Sequence, residues 1–418
     1  MKRTIAILLC AVLCLGCFAG CHGKTPATPP TPTKQNRSDG QQEEPNLTDL
    51  DLKDVKNLGF SAFDNQLIAF LKQSGLSDQN FTVSPLSFKA ALALAALGTE
   101  GKTLDELLAA LGYTDVSQVE AWYQTVLDGV DAFDDYFSGG RILERGDAAY
   151  QVVNAVWSNE DLPGEFREAY TAQAQEKLRA QVRSAAAEKL ADDINAWVNE
   201  QTNGLIPAII SDASDASAVL VNALYLKAGW ETPFQKIGED DFTTPEGETV
   251  AKEYMRVTGK FHYYEDAQTQ LVVIPLQGGM YMLFVLGDDT DLAAKLAKAN
   301  VAKAEVTVPM FDVETSLDQG ELSNYLRSMG CTAMFTDDAE FDPMFTEPLY
   351  VNDIIQKAKV HIDEEGLEAA AATAITLYGA TATQPEEPKI FRADHAFTFY
   401  VLNDIEAPEL LFWGQIVR

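Results

Sequence analysis

Residues 363–397 read DEEGLEAAAATAITLYGATATQPEEPKIFRADHAF, and the composition changes in steps along the stretch. Gly366 frees the backbone, and Ala369 to Ala372 carry almost no side chain. Thr373 to Leu377 turn β-branched and apolar, and Thr381 to Pro388 become polar and proline-bearing. A loop built only to connect has no need of such grading. Taken at a period of two, Leu367, Ala369, Ala371, Thr373, Ile375 and Leu377 share one face, while Glu368, Ala370, Ala372, Ala374, Thr376 and Tyr378 share the other. The first face is fit for a core and the second, with Glu368 and Thr376, for water, so the segment is written as a strand buried on one side. Consecutive alanines are also good helix formers, so these residues suit a short surface helix after Gly366 as well.

EEGLEAAAATA (364–374) resembles the hinge of the reactive-centre loop of the serpins, and FRADHAF (391–397) resembles the segment that follows that loop. The resemblance implies an α+β fold, with about nine helices packed on three β-sheets and an exposed loop at about 363–390. It further implies a metastable protein whose loop baits a protease. Once cut, the loop inserts as a new central strand of the main sheet and drags the acylated protease with it. Small side chains suit a segment that must leave water, thread between two strands and pack on a core.

Within this resemblance the hinge comprises Glu365, Gly366, Leu367, Glu368, Ala369, Ala370, Ala371 and Ala372. The scissile bond joins Ala380 to Thr381, with Tyr378 and Leu377 as alternative recognition residues. Alanine before the bond suits the shallow pocket of an elastase-like or subtilisin-like serine protease. Cleavage after Tyr378 or Leu377 suits a chymotrypsin-like one, and the lack of Arg and Lys between Gly366 and Pro388 argues against a trypsin-like partner.

The rest of the chain bears on the same reading. At 418 residues with 46% apolar content it can bury a large core. Thirty-one Lys and Arg stand against 63 Asp and Glu, and the net charge of -32 argues against nucleic acid or an anionic membrane surface as a partner. An acidic surface that keeps a secreted protein soluble is the simple reading. No acidic run has metal-ligand spacing, neither a metal nor a cofactor is implied, and a monomer is expected.

Four of the five cysteines, Cys10, Cys14, Cys17 and Cys21, precede residue 22, which leaves Cys331 alone in the body without a disulfide partner. Lys2 and Arg3, the apolar run Ile5 to Leu15 and small residues before a cysteine have the form of a bacterial secretory signal. Phe18, Ala19, Gly20 and Cys21 resemble a lipoprotein processing site, with Cys21 as the lipidated residue, Cys17 as a competitor and unlipidated secretion as the alternative. Residues 1–21 are thus read as the signal, 22–49 as a Pro/Thr-rich disordered tether, and 50–418 as a single domain. The expected location is the cell surface or the extracellular space.

In the body, Phe60, Phe63, Leu67, Phe70 and Leu71 mark the core face of a first helix. Pro85 starts a second, apolar around its circumference from Ala90 to Leu97. Thr103 with Glu106 predicts a capping box for a third, which Gly112 ends. Strands are predicted at 150–157, 219–226, 271–276, 280–286, 306–311 and 349–362, and a helix at 192–204. Asn80 to Ser87, NFTVSPLS, is similar to the serpin pattern at the buried helix beneath the main sheet. That likeness puts Ser84 and Ser87 in the shutter, the polar patch under the point where the sheet parts; both equally suit helix caps. By the same likeness Asn222 and Gln356 are shutter positions, and Trp230 lies at the breach where insertion begins.

This chain departs from the family at several places. Gln356 stands where many members have histidine, and Ala396 and Thr398 replace a proline and a large apolar residue. Leu367 is larger than the usual first residue to enter the sheet and is expected to slow insertion, leaving more molecules as spent substrate. A non-inhibitory serpin, cut without trapping, is the competing reading that Leu367 supports. A hydrolase fits poorly, since His262, His361 and His395 sit in no nucleophile elbow or zinc helix.

Overall fold

The computed structural model describes residues 60–138, 148–214, 216–318, 320–351, 354–367, 387–404 and 408–418. Its first half runs through α1 (Ala62–Leu71), β1 (Phe81–Val83), α2 (Pro85–Ala96), α3 (Gly101–Leu111), α4 (Val116–Ser138), β2 (Ala149–Asn159), α5 (Glu168–Leu178), β3 (Gln181–Ala185), α6 (Ala187–Gln201) and β4 (Ala218–Gly229). Strands β5 (Gln235–Thr243), β6 (Thr249–Glu265), β7 (Thr269–Leu276) and β8 (Met280–Gly287) follow, then α7 (Leu292–Leu296), β9 (Asn300–Pro309), β10 (Phe311–Leu317) and α8 (Glu321–Ser328). The chain closes with β11 (Gln356–Ile362), β12 (Gly366–Leu367), β13 (Lys389–Arg392), β14 (Phe397–Leu402) and β15 (Leu410–Ile416).

Two sheets carry the architecture. The smaller has the order β10-β11-β12-β4-β2-β3; the larger runs β1-β15-β14-β8-β7-β6-β9-β13, with β5 paired to β6. The α+β class and the helices-on-sheets layout hold. Eight α-helices fall among the described residues where about nine were expected. Two of the three expected sheets are continuous here, because the long β6 pairs with β5, β7 and β9 along its length and so runs through both.

The central strand β4 is apolar on both faces because both are covered. Leu224, Leu226 and Ala228 join the main core with α2 and the larger sheet, while Val221 and Ala223 join Leu190, Ile194, Trp197 and Val198 of α6 in a second core on the opposite face. Helix α2 is buried almost throughout, as its sequence requires, with Ser84 as N-cap and Pro85 at its first position. One charge goes in with it. Lys89 is buried between Asp64 (3.1 Å) and Glu409 (2.8 Å), and Trp122 donates to the other Glu409 oxygen at 2.8 Å. Burial pushes the Asp64 carboxyl up despite the ammonium beside it. Burial also works against the Lys89 charge, but the two carboxylates outweigh it and hold that group above its ordinary value.

Three local expectations are corrected. The Thr103–Glu106 capping box does not form. A carboxylate remote in sequence, Glu340, instead accepts from the Lys102 and Thr103 backbone N–H groups at the start of α3, while Glu106 accepts from Thr332 and Ala333. The strand expected over 306–311 is two strands, since β9 ends at Pro309 and β10 begins at Phe311 in the other sheet; the run is apolar because both ends are core. The strand expected over 349–362 begins only at Gln356. The apolar residues before it, Leu349, Val351 and Ile354, line a cavity instead of pairing.

Candidate functional site: a seam in the six-stranded sheet

Among the described residues no ladder joins β4 directly to β11. β4 pairs with β2 on one side, β11 with β10 on the other, and the two residues of β12 bridge them at one end only. Gly366 lies opposite Gly229, and Leu367 lies between Ala228 and Ile362. The Leu367 side chain is 2% exposed and belongs to the main core.

A tight turn delivers this hinge into the seam. The Asp363 carboxylate accepts from the N–H groups of Glu365 (2.8 Å) and Gly366 (3.1 Å), and the Asp363 N–H donates to the Gly366 carbonyl at 3.1 Å. Trp230, 1% exposed, closes the turn from the β4 side. Its indole N–H donates to the Asp363 carbonyl at 2.9 Å, its backbone N–H to the Glu365 carbonyl at 3.1 Å, and its ring packs on Phe234 at 4.9 Å. Gly366 has a φ of +159°, and a Cβ built there meets the Ala228 carbonyl oxygen at 2.3 Å and the Gly229 Cα at 2.7 Å. Only glycine fits where these two backbones approach.

Further along the seam a polar network lies under the gap. The Ser84 side chain caps α2 by accepting from the Ser87 N–H at 3.1 Å, and the Ser87 hydroxyl donates to the Asn222 amide oxygen. Asn222 donates to Asn154, directly opposite it on β2, and Asn154 donates to the Tyr123 hydroxyl of α4. Burial pushes the Tyr123 phenol well up, so it stays neutral. On the other bank Gln356 accepts from the Ser84 N–H at 3.0 Å and donates to the Ser84 carbonyl at 2.8 Å. Each strand is therefore tied to the first turn of α2. Ser84 is the helix cap, and Ser87 instead links α2 to β4.

Beyond the network a cavity of about 330 Å³ separates Val219, Leu220 and Val221 of β4 from Ile354 and Ile355, with Phe88 of α2 also in its wall. The seam thus has a seated hinge at one end, polar side chains at its middle and an apolar hollow at the other.

Of the residues singled out from the sequence, Ser84, Ser87, Asn222, Gln356, Trp230, Glu365, Gly366 and Leu367 lie along this seam. Glu368, Ala369, Ala370, Ala371, Ala372, Leu377, Tyr378, Ala380, Thr381 and Cys21 lie outside the described residues. Sequence reasoning missed Asp363, Asn154 and Tyr123. An aspartate three places before a hinge glycine is a turn signal, and Asn154, a lone amide in the apolar run VVNAV, matches Asn222 in its own run; either could have been flagged.

Among the described residues, a six-stranded sheet whose strands β4 and β11 are joined only through Gly366 and Leu367, with helices packed on both faces, defines the class of fold. The chain belongs to the serpin family: the family model for serpin (serine protease inhibitor) matches residues 59–418. Serpins are protease inhibitors, not enzymes. An uncharacterized serpin-like protein of Thermococcus kodakarensis is 30% identical over 450 residues, covering 100% of this chain and 99% of that protein. The leukocyte elastase inhibitor of Equus caballus is 30% identical over 371 residues, covering 80% of this chain and 92% of the inhibitor. Among solved structures, Serpin48 of the insect Tenebrio molitor superposes with a TM-score of 0.68 at 26% identity, covering 87% of this chain and 99% of that one.

Proposed function

We propose that this protein is a suicide-substrate inhibitor of serine proteases, elastase-like or subtilisin-like by the Ala380–Thr381 bond, that traps the acyl-enzyme by drawing the cleaved loop into the β4–β11 seam. The observation that carries the reading is the seam itself, which among the described residues is bridged only by Gly366 and Leu367 at one end. Continued in the register of those two residues, the loop would bring Thr373 between Asn222 and Gln356. Leu367, the main support for a non-inhibitory serpin, lies 2% exposed in the sheet, which supports trapping over plain cleavage.

Incubation with pancreatic elastase tests the proposal. A covalent complex that survives boiling in detergent is expected. Two clean fragments with full protease activity would leave a substrate and no trap.

The same proposal holds the mature chain at a bacterial cell surface through Cys21, with residues 22–49 as the tether. Partition of the expressed protein into the detergent phase of Triton X-114, lost in Cys21→Ser, is the expected result; equal partition of both proteins would remove the anchor.

A further inference from the structure

His361 stands on the outer face of β11, opposite Asp312 of β10. Its Nδ1 lies 3.8 Å from the Asp312 carboxylate and its Nε2 lies 3.6 Å from the Asp363 carboxylate. Both distances exceed hydrogen-bond length in either protonation state, so the contacts count only as ion pairs of a charged ring. An imidazolium at the same place has one N–H for each carboxylate. Asp363 is the residue whose other oxygen holds the Glu365 and Gly366 N–H groups and so shapes the turn that delivers Gly366 and Leu367 into the seam.

The neighbouring charges leave that position acidic. Lys359 shares Asp312 at 3.5 Å, and Lys357 is engaged with Glu314 at 2.7 Å. The turn itself contributes Glu364 and Glu365, β12 brings no charge of its own, and on β4 Lys227 lies on the same outer face beyond β12.

We propose that His361 is a proton-operated latch on the hinge. Protonated, it bridges Asp312 and Asp363, fixes the turn against β10 and adds to the hold on Gly366 and Leu367; neutral, it leaves the turn to its own hydrogen bonds, so the hinge opens more often. His361 is 39%, Asp363 21% and Asp312 52% exposed, so the site exchanges protons with solvent freely and each ion pair is of the modest, partly screened kind. The sign follows from linkage. The docked hinge gains charge partners only for the protonated ring, so acidification favours the docked hinge and raising the pH removes that advantage.

This inference rests on the hinge entering the seam as proposed above, but its test uses the uncleaved protein without any protease. A protein that failed to trap elastase could still show the latch, and an effective inhibitor could lack it. Amide hydrogen exchange is followed by mass spectrometry on peptides spanning 361–367 and 228–236, from pH 8 to 5.5, corrected for intrinsic exchange rates. Protection in both peptides is expected to rise by about two- to tenfold on acidification, the range that exposed ion pairs supply. His361→Gln should be flat across this range, and Asp312→Asn should show a smaller rise. A flat wild type, or an undiminished rise in His361→Gln or Asp312→Asn, overturns the latch.

Discussion

Gly366→Ala tests whether the seated hinge drives the trap. The new Cβ would lie 2.3 Å from the Ala228 carbonyl oxygen and 2.7 Å from the Gly229 Cα, both backbone atoms of a central strand, so no side-chain rotation relieves the clash. Either β4 shifts or the hinge leaves the sheet. Leaving exposes Leu367, whose burial contributes about 1.5–3 kcal/mol. It also breaks the two hydrogen bonds between Asp363 and Gly366, at about 0.5–1.5 kcal/mol each. The docking lost is therefore about 2.5–6 kcal/mol. Trapping is a race between insertion and hydrolysis of the acyl-enzyme, and each ~1.4 kcal/mol added to the insertion barrier slows insertion about tenfold. If about half of the loss appears in that barrier, the variant should be cut as a substrate. The assay is the stoichiometry of elastase inhibition, read with the rise in melting temperature on loop cleavage and with circular dichroism to establish that the uncleaved variant is folded. Stoichiometry should climb about tenfold or more, and the gain in melting temperature should shrink. A folded Gly366→Ala protein that inhibits at wild-type stoichiometry would refute the reasoning, because the seam would then accept a hinge that cannot seat as observed.

Other consequences concern the body that supports the seam. Lys89→Met leaves the Asp64 and Glu409 carboxylates without their buried cation and should cost about 3–5 kcal/mol at pH 7 by urea unfolding. Burial already raises the Asp64 pKa, so the native state takes up protons more readily than the unfolded chain and the deficit should narrow from pH 7 to 5; a deficit constant with pH contradicts this. Burial, with Glu106 adding to it, pushes the Cys331 thiol up to about 12, so the peptide containing Cys331 should take up no iodoacetamide at pH 8 until the protein is unfolded in guanidinium. Labelling of the folded protein would contradict the packing around it. Lys295, with the Thr290 hydroxyl, holds the Asp288 carboxyl down at about 2 against an ordinary 3.8. Its contribution is thus present above pH 3.8 and lost as pH falls toward 2, and Asp288→Asn should remove that part of the acid limb; superimposable acid-unfolding curves would count against it.

How far the sequence carried depended on where each residue's partner lies. β4 and α2 were legible because a strand or helix covered on every side must be apolar on every side, and that pattern is local. Ser84, Ser87, Asn222 and Gln356 stood out through family likeness, but their arrangement did not, since the Ser87–Asn222 and Ser84–Gln356 bonds span 135 and 272 residues of chain. The failed capping box has the same cause. Glu106 had the right spacing, but Glu340, 238 positions after Lys102, occupies the helix start. Likewise the strand expected from Leu349 starts only at Gln356, because the apolar Leu349, Val351 and Ile354 before it line a cavity wall. Leu367 looked obstructive while its destination was unknown; the space between Ala228 and Ile362 is what accommodates it.

The grading of residues 367–377 acquires a physical reason once the proposed insertion is set against the seam. With the register of Gly366 and Leu367 continued, Ala369 and Ala371 would fall beside Leu226 and Leu224, where β4 is already packed on the main core and little room remains for a side chain. Thr373 would follow between the Asn222 and Gln356 amides, the one place on the inner face where a hydroxyl finds partners. Ile375 would then arrive beside Leu220 in the wall of the 330 Å³ cavity, where a large branched side chain fills space that the uncleaved sheet leaves open. Because Asn222 and Gln356 are each bonded to the first turn of α2 and not to one another, a strand can enter between them without first breaking a bond across the seam. The entering strand gains ladder hydrogen bonds at about 0.5–1.5 kcal/mol apiece and, at the cavity, burial of an isoleucine at about 1.5–3 kcal/mol. Those gains exist only in the inserted state, so a free-energy difference of that origin can be spent on holding a protease.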